Sequence, residues 1–198
     1  MDVIDIQGLE AFSLELVARR MGVRAPSLYH HFKDKTELLA EVARLMLAEI
    51  ELPEPSGDGW VEDTVKLCLR ARRSVLHHPN AAPLLLQFFP RRLLLPSYDL
   101  AVAGYDIPMD WRMVMLEGLD RLTFGTAFFE AAARVRSIDP MPHFDAARLP
   151  NLAEAIRANP FDGEQLFAET IRAFIVGVQR ISAASAEAEA QRRRSLKV

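Results

Sequence analysis

The sequence predicts an all-α fold, and three observations predict it. Apolar residues recur at helical spacing through every long segment. Alternating β-branched runs bounded by Asn-Gly or Asp-Gly turns are absent. Prolines and glycines cluster between the periodic segments, where they end one helix and permit the next.

Residues 13–21 read as a short helix. Ser13 suits its N-cap, Phe12 and Val17 a hydrophobic staple, and Gly22 the C-terminal turn. A second short helix opens at about Pro26, whose missing N–H has no helical acceptor in a first turn. Asp34 and Glu37 have capping-box spacing ahead of a longer helix striped by Leu38, Leu39, Val42, Leu45 and Met46. The run LPEPSGDG at 52–59 cannot continue that helix, so a new element begins at Trp60 and two domains are expected, 1–51 and 58–186.

Helical patterning runs from 60 to 78 and stops before Pro79. Prolines at 79, 83, 90, 96 and 108 predict short, kinked helices over 79–110. From Asp110, a plausible N-cap, a segment apolar on most sides continues to about Arg136, which requires burial on several faces. Residues 137–162, with four prolines, read as a loop, and 163–184 as the last helix; the Ala/Glu-rich end and QRRRSLKV are expected to fray.

Of 198 residues, 50% are hydrophobic and 26% charged, the balance of a folded globular chain. With a net charge of −3, any nucleic-acid-binding surface must be local. Cys68 is alone, lies in an apolar helical pattern and reads as a buried, inert thiol. A signal-peptide pattern and an 18-residue apolar stretch are both missing, so a cytoplasmic protein without membrane association is expected. No metal site is expected: His30 and His31 are adjacent and point about 100° apart on a helix, and His77, His78 and His143 lack ligand spacing. No nucleophile–base set is present, so neither catalysis nor a cofactor is expected.

The stretch FSLELVARRMGVRAPSLYHHFKDKTELL, residues 12–39, carries the chemistry. A helix-turn-helix needs a small residue where two helices cross, a turn residue tolerant of positive φ, and an apolar anchor on the second helix. Ala18, Gly22 and Leu28 supply these. Arg19, Arg20, Arg24, Lys33 and Lys35 face the lone acid Asp34 within 19–35, a local positive excess of the kind phosphate contact requires.

VARRMGVRAPSLYHHFKDKTELL resembles the TetR family of bacterial regulators, above all in Leu28-Tyr29, His31-Phe32, Lys35 and Leu38-Leu39. The resemblance is sharp over about 9–50. Beyond it, Trp60 and HHPNAAPLL at 77–85 look most like the tetracycline-repressor type of C-terminal domain. It implies that Ser13 contacts phosphate, that Arg24, Ala25, Pro26 and Ser27 open the recognition helix against base edges, that Tyr29 and His30 face DNA, and that Lys35 anchors phosphate. Arg24 is the candidate guanine reader, because a guanidinium pairs with both O6 and N7. Arg19 and Arg20 are either phosphate contacts or solvated. His31 reads as a structural histidine between helices, and Glu15 as either a cytosine contact or a spectator. The family places a full helix ahead of the motif. Here only Met1 to Gly8 precede Leu9, so that first helix is expected to be truncated, and residues 1–50 hold six Lys/Arg against eight Asp/Glu.

The resemblance further implies a helical sensing and dimerisation domain, with the segments 110–136 and 163–184 forming a four-helix bundle with a second copy. Gly118, Gly125, Ala127, Ala131 and Gly177 would permit close approach. Leu67, Trp111, Met115, Glu117, Phe124 and Phe128 are the candidate ligand contacts, although Glu117 and Arg121 have the spacing of an intrahelical ion pair. The expected function is a repressor that binds a palindromic double-stranded DNA operator as a homodimer and is released by a small-molecule effector. The alternative is a dimeric ligand-binding or interaction protein that has lost DNA binding through its short N-terminus.

Overall fold

The computed structural model describes residues 1–48, 50, 57–139 and 141–195, and contains helices but no strand among them. A head is built from α1 (Asp2–Gln7), α2 (Leu14–Met21), α3 (Ala25–Tyr29) and α4 (Lys35–Ala48). The body follows as α5 (Trp60–His77), α6 (Ala82–Gln87), α7 (Arg91–Gly104), a 3-10 turn (Met109–Trp111), α8 (Arg112–Arg136), α9 (Pro150–Ala158) and α10 (Gly163–Ser195).

Local chemistry sets the head's boundaries. The Ser13 hydroxyl accepts from the Leu16 N–H at 3.2 Å and caps α2. Gly22 ends that helix at φ 69°, a left-handed conformation open to glycine without steric cost. Asp34 accepts from the Glu37 N–H at 2.9 Å, and the Glu37 carboxylate reaches back to the Lys33 N–H at 2.6 Å, one residue beyond the usual capping box.

Several boundaries differ from those expected, while the first helix is short: α1 has six residues and seats Ile4 with no exposed surface. Burying that one side chain is worth about 1.5–3 kcal/mol, which lets a turn and a half of helix hold its place. Leu45 is exposed, and Ala43 and Leu47 complete the buried stripe of α4 instead. Asp110 lies in the 3-10 turn, and Trp111 precedes the first residue of α8. The expected 137–162 loop contains α9, which Pro150 opens. Continuing to Ser195, α10 passes through the Ala/Glu-rich segment, whose residues favour helix. Of the LPEPSGDG break, 52–56 lies outside the described residues; Gly57 and Gly59 follow at positive φ and α5 begins at Trp60.

Two apolar clusters fill the interior. The second joins Val65 and Cys68 of α5, Met115 and Leu119 of α8, and Ile171 and Ile175 of α10. There Gly118 gives α10 its seat, since a Cβ at that position would lie 2.1 Å from the Phe174 ring. The first cluster crosses between head and body. It unites Ile4, Leu14, Leu28, Met46 and Leu47 with Val75 of α5, Leu84 and Leu85 of α6, and Ala127 and Ala131 of α8. Polar ties reinforce the crossing. Ser74 donates to the Met46 carbonyl at 2.5 Å, Asn80 donates to the Asp5 carbonyl at 2.9 Å, and His78 Nδ1 meets Asp5 Oδ2 at 2.7 Å. Arg72, almost wholly buried on α5, is paired with Glu130 of α8.

Candidate nucleic-acid interface and ligand cavity

The two motif helices pack through Ala18 and Leu28, both buried, and the Val23 N–H closes the turn on the Ala18 carbonyl at 3.0 Å. That packing turns the other side of α3 outward. Arg24 stands at its N-cap, Pro26, Ser27, Tyr29 and His30 are exposed, and Ala25 is half-buried. No side-chain hydrogen bond engages Arg24, Tyr29 or His30 among the described residues, so their donors and acceptors are open to a partner. His31 is exposed as well, which corrects its reading as a structural histidine between helices.

The basic residues divide by what they already hold. Lys35 Nζ donates to the Phe12 carbonyl at 2.6 Å and lies 5.4 Å from the centre of the Phe12 ring. It therefore ties the start of α4 to the residue before the α2 cap, with further N–H donors to spare. Arg20 meets Asp2 at 3.6 Å, an exposed pair of little energetic weight. Arg19, Arg24 and Lys33 have no ion-pair partner among the described residues. Ser13 spends its hydroxyl on the α2 cap, which presents the N-terminal N–H groups of α2 beside it.

In the body, a cavity of about 300 Å³ opens between the last turn of α4 and the helices α5, α7 and α8. Leu47 and Ala48 form its head-side wall, Leu67 and Cys68 come from α5, Tyr98 from α7, and Asp120, Thr123 and Phe124 from α8. Tyr98 donates its hydroxyl proton to Asp120. Burial raises the Asp120 carboxyl above the ordinary range, and the Tyr98 bond works against that. Burial pushes the Cys68 thiol up to about 11, with the Thr123 hydroxyl pulling the other way, so the thiol stays protonated at neutral pH.

Comparison with known proteins places this arrangement. Residues 1–42 match the family model described as bacterial regulatory proteins, tetR family. The N-terminal segment is thus similar to that of the TetR family. An HTH-type transcriptional regulator of Saccharopolyspora erythraea is 32% identical over 84 residues, which span 42% of this chain and 36% of that protein. The class D tetracycline repressor protein of Escherichia coli is 24% identical over 90% of this chain and 85% of its own length. Among solved structures, apo ActR from Streptomyces coelicolor has a TM-score of 0.70 at 22% identity, covering 93% of this chain and 92% of ActR, and ActR has also been solved in complex with actinorhodin. At that identity the likeness concerns the fold.

In the body the predicted ligand contacts separate. Leu67 and Phe124 line the cavity. Met115 is wholly buried in the second cluster with Trp111 packed against it, and Phe128 stacks on Phe124 with ring centres 6.3 Å apart. Glu117 is held by Arg121 at 3.0 Å and Arg91 at 3.4 Å, the ion pair its spacing suggested with a second cation added. Sequence reading missed Asp120, although its spacing from Leu116, Leu119 and Thr123 puts a carboxylate on the buried side of α8. It also missed Tyr98, which no periodicity in the proline-rich segment singles out, and the Asp5–His78 tie between residues 73 apart. No helix among the described residues is long and apolar enough to cross a membrane, and no group of three or more His, Cys, Asp or Glu side chains there could hold a metal.

Proposed function

We propose that this protein is a transcriptional repressor that binds operator DNA as a homodimer and is released when a small molecule fills the body cavity. The observation that carries the reading is the double duty of α4. Its Met46 and Leu47 belong to the cluster shared by head and body, and Leu47 and Ala48 also wall the cavity. A ligand that fits better when this wall is displaced shifts the population toward a state with α4 moved, and the motif helices move with α4. The exposed face of α3 and Arg19, Arg24 and Lys33, unpaired among the described residues, suit DNA contact, with Arg24 and Tyr29 reaching the groove and backbone first.

A second copy fits the outer faces of α8 and α10. Along α10, Leu166, Thr170, Ala173, Gly177 and Ile181 share one face at steps of three and four residues, and Leu166 and Ile181 are exposed. On α8, Phe129 is 83% exposed, and a Cβ at Gly125 of α8 or at Gly177 of α10 would meet nothing within 4 Å. Large apolar groups beside small ones are what a helical dimer interface uses. The boundary of the two domains at 51–58, a cytoplasmic location and the absence of a catalytic step belong to the same proposal.

The test is fluorescence anisotropy on DNA from upstream of the protein's own gene, run across a salt series. Tight binding with a steep salt slope that survives competitor DNA supports the repressor. A folded dimer without salt-dependent binding sinks it and favours a ligand-binding protein lacking DNA recognition. That second reading draws on the acidic balance of residues 1–50 and on the two acids, Asp2 and Asp5, in the first turn of α1.

A further inference from the structure

We infer that the cavity takes a lipophilic amine, an apolar body whose protonated nitrogen sits against Asp120 and Thr123. This rests on the cavity being the effector site. Its walls are mostly apolar; the polar side chains among them are Thr64, Ser97, Tyr98, Tyr105, Asp120 and Thr123, and Asp120 is the one carboxylate. Asp120 accepts through Oδ2 from Tyr98, and no cation among the described residues lies within ion-pair distance of it. The neighbouring guanidiniums of Arg91 and Arg121 are both engaged by Glu117. A carboxylate in an apolar wall with one phenol for company is under-compensated.

Thr123 supplies the independent observation. It is 3% exposed, and its buried Oγ1 has no oxygen or nitrogen partner; its approach to the Cys68 thiol leaves its lone pairs open. It stands one helical turn beyond Asp120, on the same side of α8 and against the same cavity. One anionic and one neutral acceptor thus border the same space. An ammonium, with three donors and a positive charge, satisfies both at once. A carboxylate ligand would add a second negative charge to the apolar site, and a hydrocarbon would leave both acceptors unmet. The C-terminal turn of α4, whose Leu47 and Ala48 also line the cavity, has backbone carbonyl dipoles of the sign that favours a cation.

The experiment is isothermal titration of the full chain with three matched probes: phenylbutylamine, phenylbutanol and phenylbutanoate. The amine should bind at least about tenfold tighter than the alcohol, the size of one charge-assisted hydrogen bond in a dry site, and the acid weakest. Asp120→Asn should bring amine affinity down to that of the alcohol, and Thr123→Val should lower it by a smaller factor. Should Asp120→Asn fail to give folded protein, Tyr98→Phe frees the second carboxylate oxygen and should hold or raise the amine-to-alcohol ratio. Equal binding of amine and alcohol, or a ratio unmoved by Asp120→Asn, overturns the amine assignment while leaving the cavity as a ligand site. Failure of all three probes to bind overturns both. Leu119→Trp, which fills the cavity, should abolish binding of amine and alcohol alike; retained binding would place the probes elsewhere and overturn the assignment.

Discussion

The head and the body handle polar groups in opposite ways. In the head, Arg24, Ser27, Tyr29 and His30 stand outward on or at the ends of a five-residue helix, above an interior dominated by apolar side chains. In the body, the outer faces of α8 and α10 carry bare apolar groups such as Phe129 and Ile181, while Asp120, Tyr98 and Thr123 lie inside. On the proposed reading, the head meets a polyanion from outside, and the body encloses a small molecule and presses against a second copy. They are nonetheless one packed object, because the head cannot close its core without Val75, Leu84 and Ala131.

The largest expected effect comes from attacking the body's outside. Phe129→Glu with Ile181→Glu should convert a dimer to monomers by light scattering, and operator affinity should fall by about a hundredfold or more as one half of the contact set is lost. A dimer that survives both changes would move the interface elsewhere.

Next is the shared core. Leu84 is wholly buried between head and body, so Leu84→Ala should cost about 2–5 kcal/mol and lower the melting temperature while the transition stays single. Two separate melts by circular dichroism would break the claim that head and body fold together.

A smaller pair of changes separates recognition from support. Arg24→Ala should weaken operator binding by about 1–3 kcal/mol with an unchanged melting temperature. Lys35→Ala should lower stability by about 1 kcal/mol, since it releases the Phe12 carbonyl, and should also weaken binding. If Lys35→Ala alters affinity with no change in melting, its role is phosphate contact alone.

The smallest effect is in the pH dependence, where two carboxylates have opposite signs. Glu62 is held below the usual carboxylate range chiefly by its hydrogen bonds from Arg172. Its contribution is present above the unfolded pKa and lost as pH falls through the lower folded one. Asp120 is raised by burial, so its contribution is present at low pH and lost as pH rises through its folded pKa. Melting curves should therefore show Glu62→Gln destabilising at neutral pH and converging with the parent in acid. Asp120→Asn should do the reverse, gaining relative to the parent as pH rises from acid to neutral; a pH-independent difference would count against the burial argument.

Legibility followed the range of the interactions. The Ser13 cap, the Gly22 turn, Pro26 at the start of α3 and the Asp34–Glu37 cap are decided within four residues, and each is written in adjacent letters. The outward side of α3 could be read for the same reason. The cavity could not, because it is formed by α4, α5, α7 and α8, and only packing decides that Phe124 faces it while Met115 does not. Asp120 was overlooked beside the more conspicuous Glu117 and Arg121, whose pairing is local. The first helix was underrated because its length is poor, whereas its stability comes from Ile4 and from Asp5 held by His78 and Asn80.

The core shared across the two halves also bears on engineering. Custom sensors are attractive to assemble by grafting the DNA reader of one regulator onto the ligand body of another, with the joint placed in the connecting segment after α4. In this protein such a graft would carry α1–α4 onto a foreign socket, because the seat for Met46 and Leu47 belongs to α5, α6 and α8. A working chimera would have to import that seat as well, at least Val75, Leu84, Leu85 and Ala131 with the Ser74, His78 and Asn80 ties, so the natural cassette boundary runs through the body and not along the linker.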